Sequence, residues 1–212
     1  MSGRPAPLTE LQLDVLRELV NIGVGHAAGI LNRMIHSHIR LQAPETRILD
    51  DDGLAEYLLA AGRDQVSAVV LDFQSDFSGT AALIFPPESA TSLVSMLIGE
   101  DDFPLDQDSL RIGTLQEVGN IVLNGVLGTF GNILGEHIDY SPPGYFEDAV
   151  SNLGLAGRDG EPVVVLLCRT PFWFEDKQIQ GEVLLVFLMS TFHVVLEALD
   201  RIASGEQTLP PL

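Results

Sequence analysis

Glu18 and Asn21 stand three positions apart in this 212-residue chain, and Glu117 and Asn120 repeat the pair 99 positions later. On a helix, residues three apart share a face, so each acid would sit about one turn from its amide. A carboxylate brings a negative charge, whereas a carboxamide offers both a donor and an acceptor with no charge. Each pair thus sets an acid beside an amide on one helix face. The surroundings repeat as well. Asp14 precedes the first pair and Pro44 follows it after 22 residues; Gly113 precedes the second, and Pro143 follows after the same interval.

A single such pair would ordinarily be a solvated helix face. The duplication at equal spacing reverses that reading, because a fixed internal period decides architecture before any local pattern does. A shift of 99 also places Leu11 on Leu110, Leu16 on Leu115, Ile22 on Ile121, His38 on His137 and Ile39 on Ile138. Farther along, Ala61-Gly62-Arg63-Asp64 returns as 156–159, and 79–85 is echoed by 181–187. The expected organisation is one fused domain, 1–212, with internal repeats 9–98 and 108–204 and a frayed tail at 205–212. Each half reads as helix, loop, strand, strand, helix, and two strands alone bury little apolar area. The acid-, Gly- and Pro-bearing stretch 99–108 marks the seam.

These pairs must be carried by elements that the pattern also predicts. Thr9 and Gln12 have capping-box spacing, so a helix should start near Glu10. From there Leu13, Leu16, Val20, Gly23, Ala27, Leu31 and Met34 mark a buried stripe. Gly23, Gly25 and Gly29 each cost on the order of 1 kcal/mol relative to Ala in a helix, which points to close approach by a neighbour or partner. A second helix spans about 115–134, with its own Gly119, Gly125, Gly128 and Gly131. The apolar runs 66–73 and 163–169 read as strands, followed by partners 79–85 and 181–187. Amphipathic helices follow at 88–97 and 190–199, and 54–59 and 146–150 read as short helical pieces. The fold class is α/β (α+β), a pseudo-two-fold arrangement of a central β-sheet with long helices carrying the two sites.

Composition excludes several functions. Eleven Lys and Arg stand against 30 Asp and Glu, a formal charge of −19. That surface repels nucleic acid phosphates and anionic lipid. With no membrane-length apolar stretch and no secretory leader, a cytoplasmic protein without nucleic acid partners or membrane insertion is expected. One cysteine, Cys168, rules out a disulfide framework and falls in a strand-like run, where a buried inert thiol is the reading. His26, His36, His38, His137 and His193 lack ligand spacing, so no resident metal is expected. Pro171-Phe172-Trp173-Phe174 reads as strand or turn covering the core rather than an exposed docking patch. The glycines lie within helices, so no phosphate-cradling loop is present.

The twin Glu-x-x-Asn elements, each with its proline 22 residues on, resemble the signature of the CheC and FliY phosphatases of bacterial chemotaxis. The likeness covers nearly the whole chain. It implies hydrolysis of the aspartyl phosphate on a CheY-type receiver, with Glu18, Asn21, Glu117 and Asn120 as the catalytic groups. Mg²⁺ would then sit on the receiver, and no cofactor would belong to this chain. A receiver already holds Mg²⁺ and a Lys around the phosphoryl group, so the partner mainly has to place one water in line. Asn21 and Asn120 would orient that water, while Glu18 and Glu117 would dock on the Lys. The family usually has Asp or Ser where Gly113 stands, and Pro44 and Pro143 are structural in this reading. CheD, a receptor-modifying deamidase, is a further partner implied by the resemblance. The competing readings are a non-catalytic adaptor for the response regulator or CheD, and a flagellar-switch-like interaction module.

Overall fold

The computed structural model describes residues 8–35, 39–41, 45–50, 53–54, 56–57, 65–98, 107–148, 155, 162–174 and 177–206. Among the described residues the elements run in the order α1 (Glu10–Ile35), β1 (Ile39–Leu41), β2 (Glu45–Leu49), β3 (Val66–Gln74), β4 (Ser78–Phe85), α2 (Pro87–Ile98), α3 (Gln107–Leu134), β5 (Asp139–Tyr140), β6 (Gly144–Asp148), β7 (Val163–Phe174), β8 (Lys177–Leu188) and α4 (Phe192–Ala203). The first six types recur in the last six.

One eight-stranded antiparallel sheet takes strands from both halves, in the order β1-β7-β8-β4-β3-β5, with β2 also on β7 and β6 also on β3. The short strands of each half pair with the long strand of the other: β1 and β2 on β7, β5 and β6 on β3. The halves are therefore interlocked by backbone hydrogen bonds. At the centre β4 pairs with β8, and Ala82 faces Leu184. These are the middle residues of the two segments 79–85 and 181–187, whose likeness is visible in the sequence.

Helices α1, α2, α3 and α4 pack on one face of the sheet. Leu16, Leu19 and Val20 of α1, Leu93 of α2, Leu123 and Phe130 of α3 and Val195 of α4 share one core with Leu71, Leu83, Leu185 and Phe187 of the strands. Phe187 makes tilted or edge contacts with Phe73, Phe77, Phe130 and Phe192. The opposite face forms a second cluster from Val66, Ala68, Ala82, Ile84, Val163, Val165, Leu167, Leu184 and Val186, joined by Leu54 and Leu155. Both faces are covered, which is why β7 begins as an unbroken apolar run instead of alternating.

Several expectations are met in detail. The Thr9 N–H donates to Gln12 Oε1 at 2.9 Å and the Gln12 N–H donates to Thr9 Oγ1 at 3.2 Å, closing the capping box at the start of α1. Leu16, Val20, Gly23, Ala27 and Leu31 are buried and Leu13 is half-buried. Residues 171–174 lie in β7, paired with β8 and, at 172–174, with β1.

Others are corrected. Residues 146–148, read as helix, belong to strand β6, where pairing to the edge of β3 overrides the local pattern. The loops after each long helix contain β1 and β2 or β5 and β6, strands too short to announce themselves. Helix α3 starts at Gln107, so 107 and 108 are its first turn and not seam. Strand β7 continues to Phe174 and β8 starts at Lys177, both longer than predicted. In the predicted piece 54–59, Leu54, Glu56 and Tyr57 are helical and the rest lie outside the described residues, as do 1–7, 36, 38, 44, 61–64, 99–106, 149–150, 156–159 and 207–212.

Candidate active site

Two helices of 26 and 28 residues carry the acid–amide pairs, and glycine lets them approach closely. A Cβ on Gly23 of α1 would stand 2.7 Å from Val126 Cα, and one on Gly125 of α3 would stand 3.1 Å from Ala27 Cβ. The crossing therefore lies just beyond each motif. Gly23 faces Val126 and Thr129 while Gly125 faces Ala27, so the two helices run in opposed directions there. Glu18 and Asn21 precede the crossing on one helix, Glu117 and Asn120 precede it on the other. Opposed helices put the two pairs on opposite sides of it.

The expected tight approach explains only some glycines. A Cβ on Gly119 would meet Val69 Cγ1 of β3 at 2.4 Å, and one on Gly131 would meet the Glu136 carbonyl oxygen at 2.9 Å. Gly25, Gly113 and Gly128 have open space, and Gly29 meets only the tip of Arg33. Among the described residues, no backbone or core side chain sets those four.

Asp14 is exposed, Glu18 and Asn21 are half-buried, Glu117 is exposed and Asn120 is half-buried. None of the four motif residues is sealed in the core. Among the described residues, neither Glu18 nor Glu117 forms an ion pair, which leaves both carboxylates available to a cation. The two sites differ in their flanks. In the first, Asp14 pairs with Arg17 at 3.2 Å across an exposed turn. In the second, Gln116 Nε2 donates to the Pro143 carbonyl at 3.0 Å, tying the loop that holds the repeated proline to the residue before Glu117. Asn124 Nδ2 donates to Asn120 Oδ1 at 2.8 Å, one turn farther along α3.

Sequence reasoning passed over Gln116 and Asn124. The spacing Asn120-x-x-x-Asn124 was visible, but position 25 of the first copy is Gly, so the repeat did not mark it. Two further polar clusters join residues distant in sequence. Arg111 of α3 makes a forked bond to Glu147 of β6 at 3.0 and 3.1 Å, beside the Tyr145 hydroxyl. Hydrogen bonding by that guanidinium holds the Glu147 carboxyl below its ordinary pKa. On the far face of the sheet, buried Glu182 accepts from Arg169 at 3.1 Å and from the Tyr57 hydroxyl at 3.0 Å. Burial comes first and the Glu182 charge second in raising the Tyr57 phenol.

A cavity of about 300 Å³, lined in part by Asp72, Thr80, Asp139, Tyr140, Leu155 and Val186, opens by that far face and contains none of the motif residues. A pair meant to act on another protein has no need of a deep pocket. Among the described residues no three His, Cys, Asp or Glu side chains gather as a metal site, and no helix is long and apolar enough to cross a membrane. His26 and His193 are exposed, and His137 stands 3.6 Å from Asp139.

The family model of the chemotaxis phosphatase CheX matches residues 67–168. The CheY-P phosphatase CheC of Bacillus subtilis is 29% identical over 130 residues, 59% of this chain and 61% of that protein. Over these stretches the chain is similar to the CheC and CheX phosphatases. The fold is shared with a solved relative: the crystal structure of Thermotoga maritima FliY superposes with a TM-score of 0.71 over 92% of this chain and 99% of that one, at 15% identity. The Borrelia burgdorferi CheX chain, solved as a CheX–CheY–BeF3–Mg²⁺ complex, gives 0.52 over 80% of this chain and 97% of that one, at 20% identity. The match to CheC spans just over three fifths of that relative's length.

Proposed function

We propose that this protein is a phosphatase that hydrolyses the aspartyl phosphate of a CheY-type response regulator, with Glu18 and Asn21 forming one site and Glu117 and Asn120 the other. The observation that carries the proposal is the presentation of both acid–amide pairs on long helices, accessible to a partner and on opposite sides of the crossing. The CheC relative named as a CheY-P phosphatase and the CheX chain solved with CheY support the choice of substrate.

In this reading each helix is laid over the receiver's acyl phosphate. The Glu carboxylate pairs with the receiver's Lys, a charge-assisted bond that sets the helix position. The Asn carboxamide then holds a water in line with the bond to phosphorus. Being uncharged, it adds no repulsion against the phosphoryl oxygens. Positioning supplies the acceleration, and no general base with a displaced pKa takes part. The receiver brings its own Mg²⁺, which neutralises charge on the phosphoryl group.

The test is release of inorganic phosphate from a phosphorylated CheY-type receiver. Asn21→Ala combined with Asn120→Ala should abolish release while circular dichroism and the thermal midpoint stay those of the parent. Persistent release in the folded double variant would overturn the assignment. Binding of CheD belongs to the same proposal through the family resemblance, and isothermal titration with a purified deamidase partner tests it separately.

A further inference from the structure

The two acid–amide pairs occupy different surroundings, and the difference lies one turn beyond each amide. In the second site Asn124 Nδ2 donates to Asn120 Oδ1 at 2.8 Å. The position equivalent to Asn124 under the 99-residue shift is Gly25, exposed and with open space where a side chain would stand. The first site has no group there to turn Asn21. A terminal amide torsion is broad and roughly two-fold, so a lone Asn samples both of its faces. A donor held against its oxygen selects one.

We infer that Asn124 is a positioning residue: it fixes the Asn120 carboxamide with its NH₂ group directed away from Asn124, so the second site is set for turnover before the partner arrives, while the first site orders Asn21 only on binding. This deepens the phosphatase reading and rests on it. A second observation supports a role beyond packing. The Asn124 Oδ1 is buried and makes no hydrogen bond among the described residues. A buried acceptor left so costs about 1–3 kcal/mol, a cost that an alanine or leucine there would avoid. The Asn120 oxygen keeps a second lone pair after accepting from Asn124, so orientation does not consume the groups that would hold a water.

The experiment isolates each site with the other silenced, and reads phosphate release from a phosphorylated CheY-type receiver over a range of receiver concentrations. In the Asn21→Ala background only the second site works. There Asn124→Leu, similar in size but with neither donor nor charge, should lower kcat roughly three- to tenfold, the worth of one hydrogen bond, with KM little changed. Asn124→Ser, which keeps a donor, should recover part of the loss. In the Asn120→Ala background Gly25→Asn should raise kcat of the first site. A purely structural Asn124 would leave kcat unchanged in the folded Asn124→Leu variant, and that result overturns the inference. If Asn21→Ala alone abolishes release while Asn120→Ala does not, the phosphatase reading stands and the inference is overturned. If the parent protein releases no phosphate, the phosphatase reading fails and the inference falls with it.

Discussion

Gly119 of α3 lies against Val69 of β3 so closely that a Cβ would stand 2.4 Å from Val69 Cγ1 and 2.5 Å from its Cβ. Asn120 is the next residue along the helix. The absence of a side chain at 119 therefore sets how deep the second site's helix sits on the sheet, and with it the height of the amide above the protein surface.

Gly119→Ala should destabilise the fold by about 1–3 kcal/mol, because Val69 is buried and cannot swing away. Val69→Ala in the same chain should return much of that loss, since the new methyl fills the space that the valine leaves. Chemical denaturation of the single and double variants measures the coupling; strictly additive losses would show that the two side chains do not share the space.

Gly23→Ala and Gly25→Ala should move stability in opposite directions. At 23 the added methyl meets Val126 backbone at 2.7 Å, so the α1–α3 crossing must open, at a cost of about 1–3 kcal/mol. At 25 it meets nothing, and the better helix former should add about 0.5–1 kcal/mol. Thermal midpoints of the two variants settle this, and a loss at both positions would contradict the geometry.

Removing the arginine that faces buried Glu182 across β7 and β8 should be costly, and removing both should not. Glu182 is 1% exposed, and Arg169 reaches it while keeping contact with water. Arg169→Met removes the counter-charge of the buried carboxylate and should cost about 3 kcal/mol, whereas Arg169→Met with Glu182→Leu should recover most of it. Urea titration of the full cycle tests the claim; equal losses in the single and double variants would refute it.

Acid should erase the contribution of the Arg111–Glu147 pair. The folded carboxyl titrates below its unfolded value, so the folded state binds its proton less readily than the unfolded chain does. The stabilisation is then complete above the unfolded pKa, about 4, and is lost as pH falls through the lower folded pKa. Glu147 is half exposed, so screening keeps the effect under about 1 kcal/mol. The stability gap between the parent and Glu147→Gln should be present at pH 7 and shrink below pH 4; a gap that widens on acidification would reverse the sign.

What the sequence determined by itself was local or periodic. The capping box of Thr9 and Gln12, the stripe from Leu16 to Leu31 and the twin Glu-x-x-Asn spacing depend on neighbours within a turn or on identity at a fixed shift, and the candidate catalytic residues were named from these. The tertiary structure decided what depends on nonlocal pairing. Strand β6 forms because β3 offers it an unpaired edge, and no local pattern in 144–148 records that edge. Likewise Gly119 and Gly25 look alike in sequence, yet one is pressed against Val69 and the other faces open space. The difference between the two sites was also hidden, since a side chain's orienting power depends on which atom it reaches, as Asn124 reaches Asn120. Periodicity reports which face of an element is buried; it carries no information about which distant backbone or side chain covers that face.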